Sequence, residues 1–278
     1  MAESENYDLN AEAKEEYDKA VQAINDFTEL HEVRRVIRWM LAQCSHIPNE
    51  DKFANVTAVM ASFSRAANDL EAVMVLCQVH CYPQALGTLR SVYEAAGIGR
   101  TMALSSSIKI ADDWISGKWQ PDSKARQFVR NVMYAEADVP EKDAAVDSYL
   151  QAYKLLSKWA HITVDSALTP YVRDTQDGYT FVQTPQFDQD FLKFALNITF
   201  VFHIYFAYAV RNSVAPDEGT SPAWDDAIKT LEYFKARLTV VYFPKIQTYD
   251  AEMELRRIEL VQSIRNSSEF RKHLRRRV

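Results

Sequence analysis

An all-α fold, a single multi-helix bundle carrying one small β-hairpin insertion, follows from three observations on the sequence. Apolar residues recur at steps of three or four through most of the chain, the period of one helix face. Only 6 glycines and 9 prolines punctuate 278 residues, too few for the many turns of an all-β protein. One stretch alone reads as strand, the β-prone runs on either side of Gln176-Asp177-Gly178. With 47% hydrophobic and 25% charged residues the chain is ordinarily globular and long enough to bury a sizeable core. Nothing in it repeats and no linker divides it, so residues 1–278 are read as one domain.

Residues 1–9 begin Met1-Ala2-Glu3-Ser4-Glu5, a polar, acidic start expected to be flexible and to be neither signal nor transit peptide. From about Asn10 to Gln43 one helix is expected, with Tyr17, Val21, Ile24, Phe27, Leu30, Val33, Val36, Ile37 and Met40 as its stripe, ending at Ile47-Pro48-Asn49. Asn49 or Asp51 caps the next helix, which is expected to bury Val56, Val59, Met60, Phe63, Ala67, Leu70, Val73, Met74 and Cys77. It stops at Tyr82-Pro83, because the residue before proline is pushed out of the helical region.

Pro83 then opens the helix around which the chain is organised, since its missing N–H would be unpaired in a first turn anyway. Leu86, Leu89, Tyr93, Ala96 and Arg100 line one side, and Ala85, Gly87, Ala95, Gly97 and Gly99 allow other helices to approach closely. Ser105-Ser106-Ser107 breaks the pattern before a short helix with Ile108, Ala111, Trp114 and Ile115, closed by Gly117 in a left-handed cap. Gln120-Pro121-Asp122 starts a segment with Phe128, Val132 and Met133. Val139-Pro140-Glu141 starts a helix that runs through Tyr149, Tyr153 and Leu156 to His161. The β-hairpin is placed at 169–184. Phe191 to Val210 is the most apolar window. Lys193, Asn197 and His203 interrupt it, which favours a buried core helix over a membrane span or an interfacial helix. A loop from Pro216 to Pro222 precedes a helix that Pro244 kinks or breaks, and a last amphipathic segment carries Met253, Leu255, Ile258 and Val261.

The candidate chemistry centres on Arg90, Glu94 and His161. Arg90 and Glu94 lie one helical turn apart, where a guanidinium and a carboxylate meet. A guanidinium beside an imidazole can stabilise an anionic phosphorane while the histidine acts as general acid or base. The plainer account is a buried ion pair that fixes helix packing, with His161 hydrogen-bonded at a helix end. Ser157 and Lys158, in the same segment as His161, are candidate binding residues.

Other clusters carry less. Cys77, His80 and Cys81 share two helical turns but match no zinc spacing, and read as reduced core residues. Asp112-Asp113 and Asp225-Asp226 point about 100° apart on a helix, so neither pair is a natural Mg²⁺ site. No phosphate-cradling Gly-rich loop, Gly-x-Ser-x-Gly elbow or His-Glu-x-x-His occurs, so neither metal nor cofactor is expected. The net charge of −6 exerts no global pull on nucleic acid, and any such contact must be local. The end of the chain is such a place. Arg271, Lys272, Arg275, Arg276 and Arg277 form a basic tail, over 271–278, that reads either as a phosphate-backbone contact or as a solvated helix end. Three cysteines, Cys44, Cys77 and Cys81, form no disulfide framework and fit a reducing cytoplasm.

The helix Ala85-x-x-x-Leu89-Arg90-Ser91-x-x-Glu94-Ala95, followed by Tyr153-x-x-Leu156-Ser157-x-Trp159-Ala160-His161, resembles bacterial helical-bundle proteins placed near the HEPN superfamily. Those are nucleotide-binding domains that are often RNases or toxins. The resemblance spans roughly residues 50–210. It implies a defence or toxin–antitoxin role and action on RNA or a nucleotide as a metal-independent ribonuclease. It also implies a homodimer, to which the aromatic surface of 191–210 adds, and an antitoxin-type protein partner. The chain departs from the active members, which carry an arginine a few residues before the histidine. Lys158 precedes His161 at too short an interval, and Arg35 and Arg38 precede His46 at too long a one. The same cluster also serves a second class of function, a non-catalytic binding or scaffold protein.

Overall fold

The computed structural model describes residues 9–44, 56–105, 107–118, 122–133, 136–161, 172–175, 178–181, 185–214 and 221–266. They form an all-α bundle: α1 (Leu9–Asn25), α2 (Thr28–Cys44), α3 (Val56–Gln78), α4 (Tyr82–Leu104), α5 (Lys109–Ile115), α6 (Asp122–Phe128), α7 (Val139–Ala160), α8 (Gln189–Val214), α9 (Pro222–Arg237) and α10 (Phe243–Asn266). Between α7 and α8, β1 (Val172–Thr175) lies antiparallel to β2 (Gly178–Phe181), with Thr175 opposite Gly178 and Val172 opposite Phe181. The expected caps Asn49 and Asp51, the loop 216–220 and the basic tail 271–278 lie outside the described residues.

Two helices form the centre. α4 packs against α3, α6, α7 and α8, while α8 packs against α2, α3, α4, α9 and α10. That pairing matches composition. Leu86, Leu89, Val92, Tyr93 and Ala96 of α4 are buried, and Arg100 is buried among them. Gln189–Ser213 is long and apolar enough to cross a membrane, yet 72% of its most apolar window is buried inside the bundle. Phe194, Phe200, Phe206, Ala195 and Ala207 supply much of that buried surface.

The expected single N-terminal helix is two. The break falls at Asp26-Phe27, where Phe27 leaves the helical phase and places its ring 5.3 Å from Phe200 and 5.8 Å from Tyr242. His31 Nε2 donates to the Ile24 carbonyl at 3.0 Å, an oxygen that also accepts from Phe27 N at 3.1 Å, so the end of α1 is doubly tied at the break. Partial burial of the Phe27 ring against Phe200 and Tyr242 offsets the regular helical hydrogen bonds given up at the break.

α3 ends in a paired-bond reversal. His80 N donates to Cys77 O at 3.3 Å and Cys81 N to Leu76 O at 2.8 Å, with His80 at φ 62°. This is the Schellman arrangement, which glycine usually closes. A histidine holds it because its ring is engaged: Nδ1 lies 3.1 Å from the Tyr82 hydroxyl, and the ring stands edge-on to Phe187 at 5.8 Å. The chain thereby reverses within three residues, and α4 returns along α3. Gly99 makes that return possible, since a Cβ there would stand 2.7 Å from Phe63 Cε1.

Elsewhere the pattern is finer than periodicity reveals. Gly117 does close α5 with φ 77°, but Ile108 and Ile115, expected in the stripe, are exposed while Ala111 is buried. α6 passes directly into a π-helical turn (Val129–Met133), and α9 passes through another (Leu238–Tyr242) into α10. Pro244 sits at the second position of α10, just past that turn, where its missing N–H costs least. Asp138 caps α7, its Oδ1 accepting from Glu141 N at 2.9 Å.

Candidate functional site

α4 presents Arg90 where α7 ends. The two helices meet closely because Gly87 has no side chain: a Cβ there would lie 3.3 Å from the Trp159 carbonyl oxygen and 3.4 Å from Ala160 Cα. Trp159, itself buried, anchors this last turn of α7 on α8, its ring 5.5 Å from Phe191 and 6.3 Å from Phe194. His161 follows as the C-cap, with extended backbone and its N–H bonded to Ser157 O at 3.3 Å. Its exposed side chain comes back over α4.

Arg90 gathers the site. Its Nε donates to Glu94 Oε1 at 3.0 Å, its Nη1 to His161 Nε2 at 2.8 Å, and its Nη2 to the Tyr153 hydroxyl. The guanidinium carbon also lies 4.6 Å from the centre of the Tyr153 ring. A guanidinium only donates, so Nε2 of His161 is the acceptor here and the ring carries its proton on Nδ1. Three of the five guanidinium N–H groups are committed in this way. The Arg90 side chain keeps 21% of its surface exposed and Glu94 45%, so the pair lies at the surface and not in the core.

Tyr153 and Arg126 belong to this cluster although sequence reasoning did not place them there. The Arg126 guanidinium carbon, on α6, lies 5.9 Å from the same Tyr153 ring, so two cations approach one phenol. For Tyr153 a signal existed. Tyr153, Ser157 and His161 fall at successive steps of four, one face of α7. Arg126 left none, because it arrives from a different helix.

The two candidate binding residues beside His161 go elsewhere. Lys158 Nζ pairs with Asp250 of α10 at 3.0 Å and lies 5.9 Å from the Trp159 ring. Ser157 Oγ is buried and has no hydrogen-bond partner among the described residues. The tail residues Arg271, Lys272, Arg275, Arg276 and Arg277 lie outside the described part of the chain.

Two further polar clusters stand beside α3. Asp69 Oδ2 accepts from Arg65 Nε at 2.7 Å and from Ser91 Oγ at 2.6 Å, tying α3 to α4 one residue from Arg90. Across α2, Glu71 accepts from Arg34 at 2.5 Å and Arg38 at 2.9 Å. Partial burial would raise the Glu71 carboxyl, but those two arginines outweigh it and hold the group below its usual range. Neighbouring His203 is fully buried in α8, its Nδ1 bonded to Thr199 O at 2.8 Å, and burial pushes it down to about 4. It is a neutral core histidine at physiological pH. Burial likewise pushes the Cys77 thiol up to about 12, and no three His, Cys, Asp or Glu side chains converge on a metal position among the described residues.

No family model, curated protein or solved structure matches the chain.

Proposed function

We propose that the Arg90 cluster is a phosphate-handling site and that the protein acts on RNA or a nucleotide as a HEPN-like, metal-independent ribonuclease. One observation carries the reading: two guanidiniums, Arg90 and Arg126, approach Tyr153 beside a solvent-exposed imidazole. Two cations at a surface attract a phosphodiester, and a guanidinium stabilises charge that builds on its oxygens. In the proposed reaction the 2′-hydroxyl attacks the adjacent phosphorus and the bond to the 5′ oxygen breaks. His161 Nε2 gives up Arg90, takes the hydroxyl proton, and water protonates the departing oxygen. Glu94 orients Arg90 throughout. A defence or toxin role, a homodimer, an antitoxin-type partner and a cytoplasmic setting complete the proposal, with β1–β2 as a hairpin inserted after His161.

A second reading draws on a different observation. Each nitrogen of Arg90 already has a partner on α4 or α7, as in a clasp that joins two helices. In that case the protein is a non-catalytic binding or scaffold protein. Purified protein incubated with a total RNA pool decides between them. Under the ribonuclease reading wild type shortens the RNA and His161→Ala does not, while both keep the same far-ultraviolet circular dichroism. Intact RNA with wild type, or equal cleavage by both, overturns it.

A further inference from the structure

We infer, building on the ribonuclease reading of the Arg90 cluster, that Tyr153 is its general acid and that its substrate is the internucleotide linkage of RNA, whose departing group is an alkoxide. Arg90 separates the roles of its neighbours. A guanidinium only donates, so His161 Nε2 accepts at Nη1, at 2.8 Å, and the Tyr153 hydroxyl oxygen accepts at Nη2. The two acceptors differ in what they have left to give. His161 Nε2 offers a lone pair and no hydrogen, which makes it a base. The Tyr153 oxygen still carries its own hydrogen, and no acceptor for that hydrogen stands among the described residues. Of the side chains bonded to Arg90, Tyr153 is therefore the one placed to deliver a proton.

Their positions suit the reaction. In an in-line displacement the attacking and departing oxygens lie on opposite sides of phosphorus. Nη1 and Nη2 are the two ends of one planar fork, so base and acid flank the place where a phosphate meets Arg90. The ring that carries the hydroxyl is fixed as well, 6.4 Å from the Tyr93 ring and 4.6 Å from the Arg90 guanidinium carbon. As the 2′ oxygen bonds to phosphorus, its proton passes to His161 Nε2. The bond from phosphorus to the 5′ oxygen breaks, and that oxygen takes the Tyr153 hydrogen in place of one from water. A cyclic phosphate and a free 5′-hydroxyl leave, and the phenolate, held by Nη2, regains a proton from the imidazolium through water. An alkoxide needs such an acid. The departing group of a nucleoside triphosphate is a stabilised anion that does not, which points to RNA over a free nucleotide.

The test uses an oligoribonucleotide around a linkage that wild type cuts, beside a twin in which sulfur replaces the departing 5′ oxygen, because a thiolate leaves without a proton. Tyr153→Phe removes the hydroxyl and keeps the ring. It should lower kcat on the oxygen substrate about 100-fold or more, with a loss at least about ten-fold smaller on the sulfur twin. His161→Ala should lower both. Wild type, with its acid in place, should cut the two substrates within about ten-fold of each other, a comparison that stands even where a variant fails to fold. Equal losses on both substrates with Tyr153→Phe mark a helix clasp, and no loss on either marks an idle hydroxyl. Either outcome, or wild type cutting the sulfur twin more than about 100-fold faster, overturns the assignment of Tyr153 and leaves the ribonuclease reading in place. ATP consumed by wild type as fast as RNA overturns the substrate class. Wild type inert on RNA overturns the ribonuclease reading and this inference with it.

Discussion

Two glycines two residues apart on α4 should respond oppositely to the same substitution. At Gly99 a methyl group would stand 2.7 and 2.8 Å from two ring carbons of Phe63. Carbon atoms rest at about 3.5–4.0 Å, so the ring must retreat by about 1 Å. It has little room, because Phe63 is fully buried and packs edge-on to Phe206 at 5.8 Å. Overpacking of this kind costs about 2–3 kcal/mol. Replacing a helical glycine by alanine returns about 1 kcal/mol, so Gly99→Ala should lose about 1–2 kcal/mol net. At Gly97 the same methyl would lie 3.4 Å from the Tyr205 hydroxyl oxygen and 3.5 Å from Ala125 Cβ, ordinary contact distances. Gly97→Ala therefore keeps most of the helical gain. In thermal melts this predicts a fall of about 2–8 °C for Gly99→Ala and a change between about 0 and +4 °C for Gly97→Ala. Equal shifts for the two variants, or a Gly99→Ala melt at or above wild type, would refute the close α3–α4 packing.

Other outcomes follow from the same geometry. Glu94→Gln should shift stability by less than about 1 kcal/mol, since the pair is exposed; a loss of several kcal/mol in urea unfolding would mean that Arg90 is sealed from water. His203 titrates low in the folded state, so the unfolded chain takes up its proton first. Stability from this group is present above about pH 6.5 and is lost as pH falls from there toward about 4. His203→Gln should flatten the melting temperature between those limits, and an unchanged slope would count against the buried neutral ring. Glu71 has the opposite chemistry but the same sense. Its carboxyl is depressed, so its contribution holds above the ordinary value of 4.5 and disappears as pH falls further. Glu71→Gln should therefore remove part of the acid sensitivity below that point and leave the limb above it intact.

The helical frame was legible because apolar spacing is a local property. Leu86, Leu89 and Tyr93 needed only their own period to announce a buried face, and Arg90 with Glu94 needed only one turn of helix. The meeting of Arg90 with His161 was legible too, through the small residues that let α7 come close, of which Gly87 is the one that matters there. What escaped was set by partners distant in sequence. Phe27 breaks the first helix for the sake of Phe200 and Tyr242, neither of which its neighbours foretell. Arg126 joins Tyr153 only after α6 has docked on α4, and Arg34 finds Glu71 across two helices. The π-helical turns carry no residue signature at all. Burial of the Arg90–Glu94 pair was the reading that small neighbours suggested. The structure exposes it because those small residues face other helices while Arg90 looks along the seam.

The tight reversal at His80 bears on how the chain folds. α3 and α4 are joined by a connection so short that closing it costs little entropy, and no contact between them spans more than about fifty residues of chain. α8, by contrast, reaches α2 and α3 across more than a hundred residues of chain. Local contacts form early and distant ones late, which makes the α3–α4 hairpin the natural nucleus on which α8 condenses. Substitutions that loosen the reversal should then slow refolding, whereas truncation of Phe200 or Phe206 should chiefly hasten unfolding. A residue in a left-handed turn, outside the Arg90 cluster, would in this way set the pace at which the Arg90 site comes into being.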